Sequence, residues 1–272
     1  MSKIFLVVSG GPGLYDPRDT NHDKNWGNYV ESFLLNARYA KPPVVGGSPA
    51  LADLAASKGP SFPPYWIKDE DILWLVYKPA YTARWNDDKT KRDPDFRAKH
   101  VMDVQKKGFG SYTDNLEKKA SGYGWKLNWI TKSADFWNII SGLTEKISRV
   151  WYFGHASEGD LWLVLAHDSE HNPIAKDPYD ETAVKWTDIN PVLITRFQPG
   201  GTNPDPNTIH MFRGCNTAKF AKEWSTKYKV WSQGYEGTLL FTRLYDGSPW
   251  MPDPGDSCVL KGYKPDGTEY SP

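Results

Sequence analysis

The chain has 272 residues, 39% of them hydrophobic and 24% charged, with 33 basic and 33 acidic side chains and no formal net charge. That composition suits a packed globular fold and argues against a general nucleic-acid binder, because phosphate neutralisation needs clustered positive charge. Two cysteines, Cys215 and Cys258, make no disulfide framework, and no apolar run reaches the roughly 20 residues of a membrane helix or takes the form of a signal peptide.

Reduced thiols in a cytoplasmic protein are therefore expected, with export by a signal-less route left open. "KIFLVVSG" (3–10) is a short β-branched apolar run closed by glycine, which predicts a buried strand. "GGPGLYDPRDTNHD" (10–23) is turn-rich. In 22–40, Trp26, Val30, Phe33, Leu34 and Ala37 recur at helical spacing. Residues 41–64 are Pro/Gly-rich, with one short helix expected at 49–57, and "DILWLVYKP" (71–79) reads as a second buried strand. The charged stretch 80–121 reads as a solvated loop and helix, an insertion in the fold.

"WKLNWIT" (125–131) alternates like a strand, and Ser133 is placed to cap a helix ending at Gly142. Strands are expected at 148–156 and 160–166, then a polar loop, then a capped helix over 186–197 with Pro191 in its first turn. A strand at 208–214, a helix at 217–228 and a strand at 229–234 follow. This alternation implies an α/β sandwich with a mostly parallel sheet in one domain, 1–245, and an irregular tail, 246–272.

Ligands gather at the carboxyl ends of parallel strands. Two reactive side chains follow a strand and a glycine there: His155 after "RVWYFG" and Cys215 after "TIHMFRG". Each alone reads as a buried structural residue. As a pair at one sheet edge they suit nucleophilic catalysis, with an imidazole as base toward a thiol. The helix after Cys215 would favour the thiolate, and Asn216 or Thr217 is placed to cap it. "SGGPG" (9–13) lacks the ending of a phosphate loop, so its glycines are read as a turn. His167 with His171, and His22 with Asp16, Asp19 and Asp23, are the only metal-like groupings; the first reads as a loop pair and the second as an acidic turn.

The order strand–Gly–His, Leu161-Trp162-Leu163, "WTDINP", strand–Gly–Cys–helix resembles the caspase-like cysteine peptidases, most closely their CHAT subgroup. "GCNTA" (214–218) looks like that family's Ala-Cys-x-Thr segment, although Ala156 stands where the family usually has glycine after its histidine. The resemblance implies a caspase-like three-layer sandwich and a bacterial thiol protease cutting a protein or peptide substrate without cofactor, metal or nucleic acid. It implies His155 and Cys215 as the dyad and the backbone N–H groups of Ala156 and Cys215 as the oxyanion hole. Substrate selection would fall to Asp16, Arg18 and Asp19 in the loop after the first strand, and to Trp231, Ser232 and Gln233 in the strand after the Cys helix. An inactive binding protein on the same fold, and a metal-dependent hydrolase using the acidic loop 16–23, are the alternative readings.

Overall fold

The computed structural model describes residues 2–14, 25–33, 70–157, 159–164, 179–205, 208–241, 253–254 and 258–272. Strand β1 (Lys3–Ser9) lies inside the main sheet, between β4 (Lys146–Phe153) and β2 (Glu70–Tyr77). From β1 the chain moves outward to β2 and then to β3 (Lys126–Ile130). It next crosses back to β4, and from there to β8 (His210–Arg213) and β9 (Ser232–Glu236). All these neighbours pair in parallel. β12 (Val259–Tyr263) and β13 (Glu269–Tyr270) complete an eight-stranded sheet as an antiparallel hairpin beside β9.

Strands of a parallel sheet are covered on both faces and so read as continuous apolar runs. Five of the six residues from Ile4 to Ser9 are apolar, and all six are buried. One face packs Phe5, Val7, Trp74, Trp151 and Phe153 against helical residues 28–33 (α1), α2 (Lys78–Asp88) and α5 (Tyr112–Gly122). Between those last two helices, α3 (Pro94–Arg97) runs through a π turn, Ala98–Met102, into α4 (Asp103–Lys106). The opposite face packs Leu6, Val8, Leu75, Tyr152 and Phe212 against α6 (Ser133–Gly142) and α7 (Ala218–Tyr228). The result is the expected three-layer α/β sandwich.

The segment 80–121 is not a solvated addition. Tyr81, Trp85, Val101, Val104, Tyr112 and Leu116 are buried in the first core, so this segment is the crossover from β2 to β3. Its charges include a buried cluster. Arg84 donates to Asp88 at 2.7 Å and to the Gly13 carbonyl at 3.0 Å, and Tyr112 donates to Asp88 at 2.7 Å. Burial holds the Asp88 carboxyl above its usual range, and Arg84 opposes that rise.

Other boundaries shift for local reasons. Ser133 is the first helical residue of α6 rather than its cap. The Asp135 carboxylate accepts from the Thr131 and Lys132 N–H groups instead. Residues 186–197 form two 3-10 turns, Trp186–Asp188 and Pro191–Arg196. Pro191 forces Asn190 into an extended conformation between them, and the Asn190 side chain caps the second turn at Val192. α7 ends with Lys229 in the left-handed region, φ 56°, which delays β9 to Ser232. The tail is not irregular throughout, since 259–263 and 269–270 add the hairpin to the sheet. Among the described residues no helix is long and apolar enough to cross a membrane.

Candidate functional site

The strand order reverses at β1, so the crevice between the carboxyl ends of β1 and β4 is the place where this topology puts a ligand. Three strand ends meet there. Ser9 is level with Phe153, and Phe153 with Arg213. The Gly10 N–H donates to the Phe153 carbonyl at 2.8 Å, and the Gly154 N–H to the Arg213 carbonyl at 3.2 Å. Gly10, Gly154 and Gly214 therefore form a row. A Cβ on Gly154 would lie 2.4 Å from the Tyr152 hydroxyl and 3.3 Å from the Gly10 Cα. One on Gly214 would lie 2.8 Å from the Gly154 carbonyl oxygen. A side chain at Gly154 or Gly214 forces a shift and one at Gly10 is tight, which is the physical content of the strand–glycine pattern. The "SGGPG" amides are likewise spent on structure: the Gly11 N–H donates to the Leu163 carbonyl at 2.6 Å.

One residue beyond this row stand His155 and Cys215. Phe153 belongs to the α1/α5 core, and Arg213 lies over the Trp151 and Phe153 rings. Two residues on, alternation returns His155 and Cys215 to that same face. Their surroundings agree. The Tyr29 hydroxyl on α1 is 2.7 Å from His155 Nε2, and Cys215 packs on the same core cluster. The strands they leave are paired neighbours, which places their departure points about one strand spacing, ~4.8 Å, apart. Tyr152 donates to the His155 carbonyl and, at 2.7 Å, to the Trp162 carbonyl, clamping the turn from β4 into β5 (His155–Ser157).

Cys215 begins a tight strand-to-helix turn. Asn216 takes φ 54°, a conformation asparagine tolerates better than most residues. Its N–H donates to the Gly237 carbonyl at 3.0 Å and its side chain accepts from the Gly237 N–H at 2.9 Å. Neither Asn216 nor Thr217 caps α7 with its side chain. The fully buried Thr217 hydroxyl instead donates to the Phe212 carbonyl at 2.6 Å and accepts from the Tyr235 N–H at 3.0 Å. It stitches β8 to β9 beyond the point where their ladder stops.

The sulfur itself is covered. The Leu239 N–H donates to Cys215 Sγ at 3.3 Å, and the thiol faces the Leu239 carbonyl oxygen at 3.8 Å. Burial raises the thiol above its usual range, against the lowering effect of the Leu239 and Cys215 N–H groups. Cys258 is pushed up further, to about 11, by burial and by its proximity to Cys215. Both cysteines are free thiols.

Ala156 sits beside Gly214: their Cβ positions would be 2.9 Å apart. In β5 it pairs with Leu161 of β6 (Asp160–Trp162), which pairs in turn with Val184 of β7 (Ala183–Val184).

The nominated specificity residues divide. Asp16, Arg18 and Asp19 lie outside the described residues, as do His22, His167 and His171. Trp231 immediately precedes β9, and Ser232 and Gln233 open it. Ser232 is level with His210 and Gln233 with Met211, several residues before Cys215. They therefore sit toward the opposite edge from the sulfur. Trp231 is 5% exposed and donates to the Gly201 carbonyl, Ser232 is fully buried on the Ala221 carbonyl, and Gln233 meets Tyr270. Trp231 lines a separate hollow of about 570 Å³ with Gly200, Pro204, Pro265 and Tyr270.

The residues that do border the dyad are Tyr29, Tyr152 and Leu239, with Phe241 packed on Tyr29. Tyr29 carried a faint signal as the polar-tipped aromatic one turn after Trp26; Leu239 and Phe241 carried none. Among the described residues no group of three or more His, Cys, Asp or Glu could hold a metal ion. No family model, curated protein or solved structure matches this chain.

Proposed function

We propose that the protein is a cysteine endopeptidase of the caspase-like type, with Cys215 as nucleophile and His155 as base. The supporting observation is the β4–β8 register. It brings two strand–glycine ends level and returns His155 and Cys215 to one face at the switch-point crevice. Cys215 Sγ attacks the peptide carbonyl carbon as its proton passes to His155. The C–N bond then breaks, the amine leaves with the proton from His155, and water hydrolyses the thioester. Because the Tyr29 hydroxyl occupies Nε2, it accepts from Nε2–H in the active tautomer, and Nδ1 is the nitrogen that takes the thiol proton. The Ala156 and Cys215 N–H groups stabilise the oxyanion.

The test is cleavage of an unfolded protein substrate by the full chain, read by labelling new amino termini. Cys215→Ala and His155→Ala should each abolish new termini, and His155→Ala should slow iodoacetamide labelling of Cys215 but not of Cys258. Undiminished cleavage by Cys215→Ala overturns the assignment. A non-enzymatic binding protein on this fold is the second reading, favoured by the covered thiol and its raised pKa. On that reading Cys215→Ala keeps full biological activity.

A further inference from the structure

Residues 237–241 do more than end β9. The paired hydrogen bonds between Asn216 and Gly237 anchor the segment beside Cys215. β10 (Leu239–Leu240) then runs extended, paired on one side with β11 (Asp253–Pro254). Leu239 turns one N–H and one C=O toward the sulfur, and its side chain is fully buried in the core that holds Tyr29, Met211 and Tyr235. Phe241, 1% exposed, packs edge-on against Tyr29 at 4.8 Å, and Tyr29 holds His155. One short segment thus reaches both members of the dyad, directly through Leu239 on the sulfur and indirectly through Phe241 on Tyr29, the hydrogen-bond partner of the imidazole.

An extended backbone with its polar groups facing the nucleophile and one side chain sunk beside it is the posture of a bound peptide. The thiol donates toward the Leu239 carbonyl oxygen at 3.8 Å and accepts from the Leu239 N–H at 3.3 Å, so the sulfur is engaged by hydrogen bonds to this segment. The segment therefore occupies the space beside the sulfur. We infer, resting on the peptidase reading above, that 239–241 is a built-in occupant of the substrate cleft. The recess it fills beside Cys215 accepts an aliphatic side chain, so the preferred substrates are peptides with a leucine-like residue on the acyl side of the scissile bond.

The test uses the full chain and three peptide aldehydes differing only in the terminal residue: leucine, aspartate and arginine. Each is scored by protection of Cys215 from iodoacetamide, with Cys258 as internal control and a thermal melt as folding control. Leu239→Ala should raise Cys215 labelling about tenfold, by raising the fraction of open site. The leucyl aldehyde should protect at a concentration well below the other two. Unchanged labelling in a folded Leu239→Ala chain overturns the occupancy. Better protection by the aspartyl or arginyl aldehyde overturns the aliphatic recess and leaves the peptidase reading intact. No protection by any aldehyde, together with labelling indifferent to His155→Ala, overturns the peptidase reading itself. If Leu239→Ala does not fold, Phe241→Ala and the order of the three aldehydes on the parent chain decide the same points.

Discussion

Thr217 offers a measurement in which valine removes a hydroxyl with three hydrogen-bond contacts, to the Phe212 and Gly214 carbonyls and from the Tyr235 N–H, and almost no volume. Its hydroxyl is fully buried, donates to the Phe212 carbonyl and accepts from the Tyr235 N–H. The β8–β9 ladder runs only to Met211 and Gln233, so in Thr217→Val the Tyr235 N–H loses its acceptor inside the protein. An orphaned buried donor costs about 1–3 kcal/mol, and the under-satisfied Phe212 carbonyl adds about 1 kcal/mol. The sum, about 2–4 kcal/mol, lowers Tm by roughly 4–16 °C in a chain of this size. Differential scanning calorimetry of the parent, Thr217→Val and Thr217→Ser measures it, with serine recovering most of the loss. A valine variant melting within about 1 °C of the parent would show that the stitch between β8 and β9 is not made by this hydroxyl. It would also remove the account of how the Cys215 turn is fixed.

Two further outcomes follow from the same geometry. Tyr29→Phe deletes the partner of His155 Nε2 and should lower kcat by roughly 10- to 100-fold with little change in KM, since a bond to a group charged in the transition state contributes about 1.5–3 kcal/mol. The kcat pH profile should shift with it, which loss of packing alone would not produce. At acid pH two buried imidazoles destabilise the fold. Burial and the nearby Arg149 charge hold His210 down to about 3, and burial, with Arg84 and Lys99, holds His100 down to about 4. Both pKa values are depressed on a base, so the unfolded chain binds protons that the native state does not. Stability is therefore full above about pH 6.5 and falls between there and pH 4. Urea midpoints at pH 7.5 and pH 4.5 should differ by a loss on the order of a few kcal/mol, reduced in His210→Gln.

Much of the fold was legible because its signals are local. β1, β2, β4 and β8 are mainly apolar runs buried on both faces, β3 alternates at the sheet edge, and α7 carries Phe220, Ala221, Trp224 and Tyr228 on one stripe. What stayed hidden depends on partners distant in sequence. The charges of 80–121 read as solvated because nothing local shows that Arg84, Asp88 and Tyr112 satisfy one another in the interior. The terminal hairpin did leave a local mark, Pro265-Asp266-Gly267, with Gly267 at φ 86°; the surrounding Pro/Gly content masked it. At the site, the strand–glycine–reactive-residue pattern found His155 and Cys215 because backbone crowding leaves its trace in the glycines. Residues 231–233 were misplaced because the helix ends in a left-handed residue and the strand starts late, sliding the register so that Gly237 and Leu239 border the sulfur. A cover segment has no periodicity to read.

The row of Gly10, Gly154 and Gly214 carries a genetic consequence. These positions are far apart in the chain, yet the Gly154 backbone lies where a side chain on Gly10 or on Gly214 would have to go. A first substitution pushes one strand end away from the next, and much of the room a second one needs is then already open. Their effects are therefore expected to be epistatic, with the double variant less damaging than the sum of the singles. A lineage that lost one of these glycines could lose the others at little added cost, and the wall of the crevice would decay as a unit rather than position by position.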